Sequence, residues 1–378
     1  MASVELRRAT RAGGIALVDG SPSLLTRWFL DGLAGALAAR GHAVQRERKR
    51  DVRIDPGVRV VINAVNAEHP VSFRRRSQEI FVVGVADVAV PADEMLAAGY
   101  SLLVRSLSNV FIPVARSDRG PEAYFITMEQ GFHRIARDGD DAAFFARVVE
   151  RIIPLAESRL VIDNEFMPDL PRKLLDGDEH TEALFRAGRR LAELDLLPAP
   201  WPIDELLSPA DLRHVQRLFG IGGLSYGNAS ARHAGDTFWM SASGVDKSHL
   251  QEIGREILMV TGYDQARGVI RLSVPAGVKP RRVSVDAIEH LTIYREHPEV
   301  GAILHVHGWV PGAASTEAVY PCGTEELAME VAGLVRDAPD PGHAVIGMKN
   351  HGVTITGSSL DEILERVGPR IVRRVPMS

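Results

Sequence analysis

The stretch Gly301-Ala-Ile-Leu-His-Val-His307 shows the alternation that is typical of a β-strand. Side chains two residues apart on a strand point to the same face, so the imidazoles of His305 and His307 project together. Two imidazoles on one face can chelate a metal ion. A lone His-x-His pair is nevertheless a weak motif, because such histidines more often have structural or surface roles. The rest of the sequence has to support the metal site.

Two further elements carry polar side chains that suit the same site. The segment 284–296 is predicted to form an amphipathic helix, in which Asp286 and His290 lie one turn apart on one face. His351 comes immediately before a predicted strand over 353–356. Three histidines and one carboxylate suit zinc or another divalent ion, and they leave a coordination position for substrate or water.

Length and composition restrict the class of protein. The chain has 378 residues, which is at or above the size where one hydrophobic core stops growing, so two domains are expected. Hydrophobic residues make up 45% and charged residues 25%, values that argue against a disordered or fibrous chain. No apolar run approaches the roughly 18 residues of a membrane span, and the first residues lack the apolar stretch of a signal peptide. We therefore expect a cytoplasmic protein with no membrane partner.

Net charge and cysteine content restrict the possible binding partners and the residue types that can bind a metal ion. The formal net charge of -5 argues against nucleic acid as a partner. Cys322 is the one cysteine in the sequence, so the chain cannot form an intramolecular disulfide or a multi-cysteine metal site. A metal ion must then rely on histidine and carboxylate ligands. We expect the thiol of Cys322 to be buried and structural, since cysteine is among the most buried residue types.

The pattern along the chain predicts two domains joined by a linker. Residues 1–165 alternate short apolar runs with helical stretches, which predicts an α/β domain with a mostly parallel sheet. Its first strand-to-helix turn, over 18–23, lacks the glycine patterns that bind dinucleotides or phosphates, so no nucleotide is predicted there. Residues 166–204 contain prolines and one polar helix, which predicts a helical, Pro-rich linker. Residues 205–378 then form the metal-binding domain.

Several short motifs follow one another through the second domain. They are Gly227-Asn228-Ala-Ser230, Ser241-Ala-Ser243-Gly244, Asp286, His290, His305-Val-His307, Gly323-Thr324-Glu-Glu-Leu327 and Asn350-His351-Gly352. In this order and spacing they make residues 205–357 resemble the class II aldolase/adducin family. The resemblance implies a three-layer α/β/α domain around a mainly antiparallel sheet, and usually a homotetramer. It also implies that His305, His307 and His351 hold a catalytic divalent metal, typically zinc, with manganese or iron as alternatives.

The resemblance assigns roles to further side chains. Asp286 is the implied catalytic residue, because a carboxylate beside the metal can move the proton. The implied substrate-binding residues are Asn228, Ser243, Gly244, Ser284 and His290. Lys247 lies near these residues in sequence, and we expect it to be exposed.

These features predict a metal-dependent lyase that carries out aldol or retro-aldol cleavage of a small, sugar-like hydroxylated carbonyl compound. The metal is expected to act as a Lewis acid that stabilises the enediolate. Asp286, however, matches glutamate in fuculose-phosphate-type aldolases and aspartate in pentulose-phosphate 4-epimerases. Ser284-Val285 also replaces the usual pair of serines, one of which helps to hold phosphate. An epimerase or dehydratase, a non-catalytic adducin-like assembly domain and an iron-dependent oxygenase therefore stay open as alternatives.

Overall fold

The computed structural model describes residues 13–21, 23–47, 55–75, 77, 79–128, 132–198, 203–219 and 225–377. The chain divides into two compact units. The first comprises Met1–Ser158 with Pro202–Val215, and the second comprises Arg159–Trp201 with Gln216–Ser378. No helix within the described ranges is long and apolar enough to cross a membrane. The described helices are α1 (Leu24–Ala39), α2 (Met95–Ser106), α3 (Asp141–Glu157), α4 (Glu179–Glu193), α5 (Ile203–Leu206), α6 (Pro209–Phe219), α7 (Ala287–Glu296), α8 (Glu325–Asp337) and α9 (Leu360–Arg366).

The first unit is built on a seven-stranded sheet. Its strands are β1 (Gly14–Asp19), β2 (Val44–Glu47), β3 (Val58–Ala64), β4 (Phe81–Asp87), β5 (Val110–Ser117), β6 (Gly120–Thr127) and β7 (Phe132–Ala136). In the order β2-β1-β3-β4-β5 the strands pair in parallel, and β6 and β7 are added antiparallel beyond β5. β3 and β4 are almost entirely buried and apolar, as central strands covered on both faces require. The predicted mostly parallel sheet is confirmed.

Aromatic packing and one ion pair hold the helices of the first unit. α1 begins after Ser23, whose hydroxyl accepts hydrogen bonds from the backbone of the first turn. α1 packs on α3, and Trp28 stacks on Phe144 with 5.8 Å between ring centroids. Arg105 of α2 forms an ion pair with Asp211 of α6 at 3.1 Å. This contact ties the segment around residue 211 to the first unit.

The second unit is built on a nine-stranded sheet. Its strands are β8 (Asp163–Met167), β9 (Asn228–Ala234), β10 (Thr237–Ser241), β11 (Ile257–Asp264), β12 (Val269–Ser273), β13 (Ala302–Val306), β14 (Ala314–Ser315), β15 (Val345–Met348) and β16 (Gly352–Gly357). They lie in the order β14-β15-β16-β13-β9-β10-β11-β12-β8. Only the pairs at the two edges, β14 with β15 and β12 with β8, are parallel. The predicted mainly antiparallel sheet is confirmed, and α7 packs with α8 and α4 with α9.

The domain boundaries differ from the predicted ones, because residues 166–198, the described part of the predicted linker in the second unit, contribute a strand and a helix to that unit. β8 pairs in parallel with β12 and completes one edge of the large sheet. α4 is amphipathic and buries Leu184, Ala187 and Leu191. The second unit therefore begins at Arg159 rather than at residue 205, and it takes in the end of the predicted first domain.

Candidate metal centre

Three histidines converge at one end of the large sheet. His305 lies in β13 and His307 follows it, whereas His351 precedes β16. The Nε2 atoms of His307 and His351 are 3.1 Å apart. Ring centroids are separated by 5.0 Å for His305 and His307, 4.9 Å for His305 and His351, and 4.6 Å for His307 and His351. One nitrogen from each ring lies within 4.8 Å of the others. The structure thus brings His351 to His305 and His307, although 44 residues separate it from His307 in the sequence.

Two glycines let the neighbouring chain approach the strand that carries His305. β13 pairs with β16 on one side and with β9 on the other. A Cβ atom on Gly227, where φ is +71°, would lie 2.4 Å from the carbonyl oxygen of His305. A Cβ atom on Gly352 would lie 2.2 Å from the carbonyl oxygen of Val306. Side chains at these two positions would collide with backbone, which explains why both motifs contain glycine.

The turn between β15 and β16 presents His351 to His307. Asn350 adopts φ +60°, in the left-handed region that asparagine tolerates better than most residues. The sulfur of Cys322 lies 3.5 Å from each ring nitrogen of His351. Its thiol therefore borders the histidine cluster, and Cys322 is half-buried and not fully buried as predicted.

The surroundings of the three rings leave them neutral. Nδ1 of His305 lies 3.1 Å from the carbonyl oxygen of Val353 and donates to it. Its Nε2 is buried and has no hydrogen-bond partner among the described residues, so a lone pair remains for a ligand. Burial, together with nearby charges, lowers the pKa of His305 to about 4 and that of His351 to about 3. The pKa of His307 is well below its ordinary value, mainly for the same reason. Neutral imidazole is the form that binds metal ions.

This donor set fits a divalent ion. Ligand nitrogens about 2.0 Å from a tetrahedral zinc ion are themselves roughly 3.3 Å apart. The 3.1 Å separation of the Nε2 atoms of His307 and His351 is close to that value. Imidazole suits zinc and iron, and three protein ligands leave a fourth position open, as in catalytic zinc sites.

Asp286 lies beside the histidines as a buried carboxylate. It occupies the N-cap position of α7, and Nδ2 of Asn228 donates to its Oδ2 at 2.7 Å. Its Oδ1 is buried and makes no hydrogen bond within the part of the chain that the structure describes. Burial raises the pKa of Asp286, whereas His351, the bond from Asn228 and the charge of Lys247 act in the opposite direction. Asn228 therefore orients this carboxylate and leaves one oxygen available.

Glu289 is a second buried carboxyl group, which the sequence analysis missed. The hydroxyl of Thr354 donates to its Oε1 at 2.6 Å. Its Oε2 is buried without a hydrogen bond to any described residue. Burial and the charge of Asp286 raise the pKa of Glu289 to about 8. Glu289 follows Asp286 by three residues, so the two side chains lie on the same side of α7. This spacing was the only sequence signal for a buried Glu289, and it is weak because glutamates in helices are usually exposed.

Lys247 is buried, which corrects the prediction that it is exposed. Its Nζ donates to the carbonyl oxygen of Ser225 at 2.6 Å, and its backbone N–H donates to Oγ of Ser225 at 3.1 Å. Burial lowers the pKa of Lys247 to about 8. Its positive charge lowers the pKa of Asp286. The surrounding sequence, Asp246-Lys-Ser-His249, is polar throughout and gives no local sign of burial.

His290 belongs to a buried polar network in the second unit. Its Nδ1 lies 2.7 Å from Oγ of Ser230, and the same hydroxyl is 2.8 Å from the phenol oxygen of Tyr294. Burial, followed by the charge of His305, lowers the pKa of His290 to about 3. His290 is therefore a neutral interior residue that is electrostatically coupled to the histidine cluster.

Three of the predicted substrate-binding residues surround the turn that follows β10. Ser243 is exposed, and its backbone N–H donates to the carbonyl oxygen of Arg282 at 2.8 Å. Gly244 adopts φ +69°, and its carbonyl oxygen accepts from Arg281 at 2.9 Å. Ser284 is buried, and its backbone N–H donates to the last residue of β10 at 3.3 Å. None of these hydrogen bonds reaches the histidine cluster, and a substrate role for the three residues stays a prediction.

Comparison with known proteins supports the resemblance over part of the chain. Residues 212–318 match the family described as Class II Aldolase and Adducin N-terminal domain. The predicted resemblance is confirmed over these residues, which include Asp286, His305 and His307 and end before His351. No curated protein matches the chain.

Two solved structures are similar to the chain. Both are of YgbL, a candidate aldolase/epimerase/decarboxylase. The protein from Klebsiella pneumoniae is 17% identical, covers 53% of this chain and 86% of its own, and has a TM-score of 0.33. The protein from Escherichia coli is 16% identical, covers 50% of this chain and 83% of its own, and has a TM-score of 0.33.

Proposed function

We propose that this protein is a metal-dependent lyase that catalyses aldol or retro-aldol cleavage of a small, sugar-like hydroxylated carbonyl compound. The observation that carries the proposal is the convergence of three buried, neutral imidazoles in a unit that matches the class II aldolase family over residues 212–318. Zinc is the proposed ion, and a homo-oligomer, a tetramer by resemblance, is the proposed assembly.

The three histidines and their burial define what the chain contributes to such a reaction. His305, His307 and His351 would hold the ion through their ring nitrogens. A divalent ion bound there supplies Lewis-acid polarisation of the substrate carbonyl and stabilises the negative charge of the enediolate. The three rings are buried, and electrostatic interactions between groups in such a shielded environment are stronger than in bulk water.

Asp286 is the residue proposed to move the proton. Aldol cleavage breaks a carbon-carbon bond as a hydroxyl group loses its proton, and the reverse reaction returns that proton. Asn228 holds Oδ2, so Oδ1 is the atom that can accept and return it. Burial raises the pKa of Asp286, while the hydrogen bond from Asn228 and the positive charge of Lys247 act toward the carboxylate form that a base requires.

An epimerase at the same site is the second candidate function. Asp286 favours it, because aspartate is the residue at this position in the pentulose-phosphate 4-epimerases that the motifs resemble, and it reaches one methylene less than glutamate. Such an enzyme would invert one hydroxyl-bearing carbon and release no aldehyde. The two activities share the metal centre and differ in their products.

Product analysis on the metal-loaded full chain tests the proposal. The chain is loaded with Zn²⁺ and incubated with hydroxy-aldehydes, ketose sugars and their phosphates, and the products are followed by NMR. Two carbonyl fragments from one substrate support the lyase, and a single inverted isomer supports the epimerase. His305→Ala is expected to lose both metal and turnover. His343→Ala, which alters a surface histidine paired with Asp340, is the control and is expected to keep both.

Other outcomes contradict both candidates. Oxygen uptake by the iron-loaded chain would assign an oxygenase. Full metal occupancy without turnover of any of the three substrate classes would assign a non-catalytic assembly domain.

A further inference from the structure

A second group of metal-ligating side chains lies in the same unit and shares no residue with the three-histidine cluster. Asp178 is the N-cap of α4, His180 lies in the first turn of α4, and His233 lies in β9. One ligand atom of each lies within 4.8 Å of the others. Their side chains are 17%, 31% and 26% exposed, so the group is accessible from solvent.

Hydrogen bonds from the first turn of α4 and from β10 fix the carboxylate of Asp178. Its Oδ1 accepts from the backbone N–H groups of His180 and Thr181 at 3.0 and 3.1 Å. Its Oδ2 accepts from the indole N–H of Trp239, a buried residue of β10, at 2.9 Å. A carboxylate oxygen has two lone pairs, so Oδ2 keeps one for a further ligand. Outer hydrogen bonds of this kind orient carboxylates that bind metals.

The contact between Asp178 and His233 is short enough for a hydrogen bond, but its angles do not fit one. Nδ1 of His233 lies 2.9 Å from Oδ2 of Asp178. The same Nδ1 is buried and makes no hydrogen bond to any residue of the described ranges. Two ligand atoms on one tetrahedral zinc ion are roughly 3.3 Å apart, so a shift of a few tenths of an ångström admits an ion between them.

We propose that Asp178, His180 and His233 bind a divalent transition-metal ion such as Zn²⁺, with solvent as the fourth ligand. Two imidazoles and a carboxylate are a ligand set that zinc accepts. The positive end of the α4 dipole opposes a cation. The negative charge of Asp178 lies at that helix end and offsets the dipole.

The ion would fasten α4 to the large sheet. α4 also packs closely against the turn that contains Lys247, since a Cβ atom on Gly188 would lie 1.7 Å from the carbonyl oxygen of Lys247. A metal that fixes the start of α4 therefore stabilises a helix that supports the surroundings of Asp286. The proposed role is structural, and it goes beyond the proposed function without depending on it.

Zinc stoichiometry of the full chain tests this proposal. Protein stripped with a chelator is dialysed against Zn²⁺, and bound metal and the thermal midpoint are measured. We expect about two equivalents in the wild type and about one in His233→Ala, in His180→Ala and in His305→Ala. The rise in Tm that Zn²⁺ produces should persist in His305→Ala and be reduced in both His233→Ala and His180→Ala.

His343→Ala is the matched control. Nδ1 of His343 also lies 2.9 Å from an aspartate, Asp340, but the pair belongs to no three-ligand group of the described residues. This variant should keep both equivalents, and loss of zinc in it would indicate adventitious surface binding and overturn the second site.

The remaining outcomes separate the two metal sites. A single equivalent that disappears in His305→Ala overturns the second site and leaves the proposed function intact. A single equivalent that disappears only in His233→Ala supports the second site and overturns the catalytic centre. Two equivalents retained in both His233→Ala and His180→Ala overturn the second site.

Discussion

The two units bury carboxyl groups in different ways. In the first unit, Glu122 of β6 accepts a hydrogen bond from the phenol of Tyr124 at 2.7 Å and forms an ion pair with Arg134 of β7. In the second unit, Asp286 and Glu289 each accept one hydrogen bond. Each also has a second oxygen that is buried without such a bond to the described residues.

This difference separates carboxyl groups that hold the fold from those available for chemistry. Burial raises the pKa of Glu122. The hydrogen bonds from Arg134 and Tyr124 outweigh this effect and bring the pKa below its ordinary value. Burial and the charge of Asp286 instead raise the pKa of Glu289 to about 8. A buried carboxylate whose oxygens are all paired, which we call compensated, stabilises a protein. A buried carboxyl group with an unpaired oxygen, which we call uncompensated, costs stability, and groups with perturbed pKa values of that kind cluster at functional sites.

The largest effect is expected from His305→Ala in the second unit. Losing one of three ligands should empty the metal centre, and the several kcal/mol that a Lewis acid contributes correspond to about 10³-fold in kcat/KM. Metal content and kcat/KM of the Zn²⁺-loaded chain are measured together. Glu122→Gln in the first unit should leave both unchanged. Full turnover without metal in His305→Ala would contradict a metal-dependent active site in the second unit.

Asp286→Asn tests whether the uncompensated carboxylate acts in the reaction. It should lower kcat by about 10²-fold, because proton transfer is lost while the three metal ligands remain. Metal content should be unchanged, which separates this effect from that of His305→Ala. Asp340→Asn, at an exposed turn, is the control. If Asp286→Asn kept full kcat, Asp286 would belong with Glu122 as a structural group.

Glu122→Gln tests the structural side of the contrast. The change removes the charge partner of Arg134 and the charged acceptor of Tyr124, so the free energy of unfolding of the first unit should fall by about 1–3 kcal/mol. Urea unfolding monitors the loss. Glu150→Gln, which alters an exposed carboxylate of the same unit, should change stability by less than about 0.5 kcal/mol. Equal stability in the two variants would contradict a stabilising role for Glu122.

Glu289→Gln should change the pH dependence of stability. The folded chain keeps the proton on Glu289 up to about pH 8, whereas the unfolded chain releases it near the ordinary pKa of 4.5. The folded state therefore binds more protons between these values, and the free energy of unfolding should fall as pH rises from about 5 to 8. Denaturant unfolding of the metal-free chain should show a shallower fall in Glu289→Gln. Identical slopes would mean that Glu289 is compensated as Glu122 is.

Sequence reasoning succeeded where periodicity and local chemistry agree. Strand alternation placed His305 and His307 on one face, and the structure brings both rings together with His351. The same holds for local capping, since serine favours the N-cap position, and Oγ of Ser208 accepts from the backbone N–H of Asp211 at the start of α6. These features depend on residues a few positions apart, so a single sequence contains the information.

The features that were missed depend on distant contacts. Lys247 is buried through Ser225, and Glu289 through Thr354, which is 65 residues away in the chain. β8 has no alternating pattern of its own, and it is a strand because Val269 and the residues after it pair with it. The sequence on either side of α4 contains prolines, which favoured a linker although the helix itself is amphipathic.

β13, which carries His305, is an interior strand of the nine-stranded sheet, and this position determines how the histidine cluster is lost when the protein is heated. β13 has a hydrogen-bonded neighbour on each side, β16 and β9. Amides on such an interior strand exchange with deuterium only when a large part of the structure opens, unlike those of an edge that frays. The backbone amides near His305 should accordingly be among the slowest to exchange in the second unit. Thermal inactivation should then coincide with cooperative melting of that unit instead of preceding it gradually.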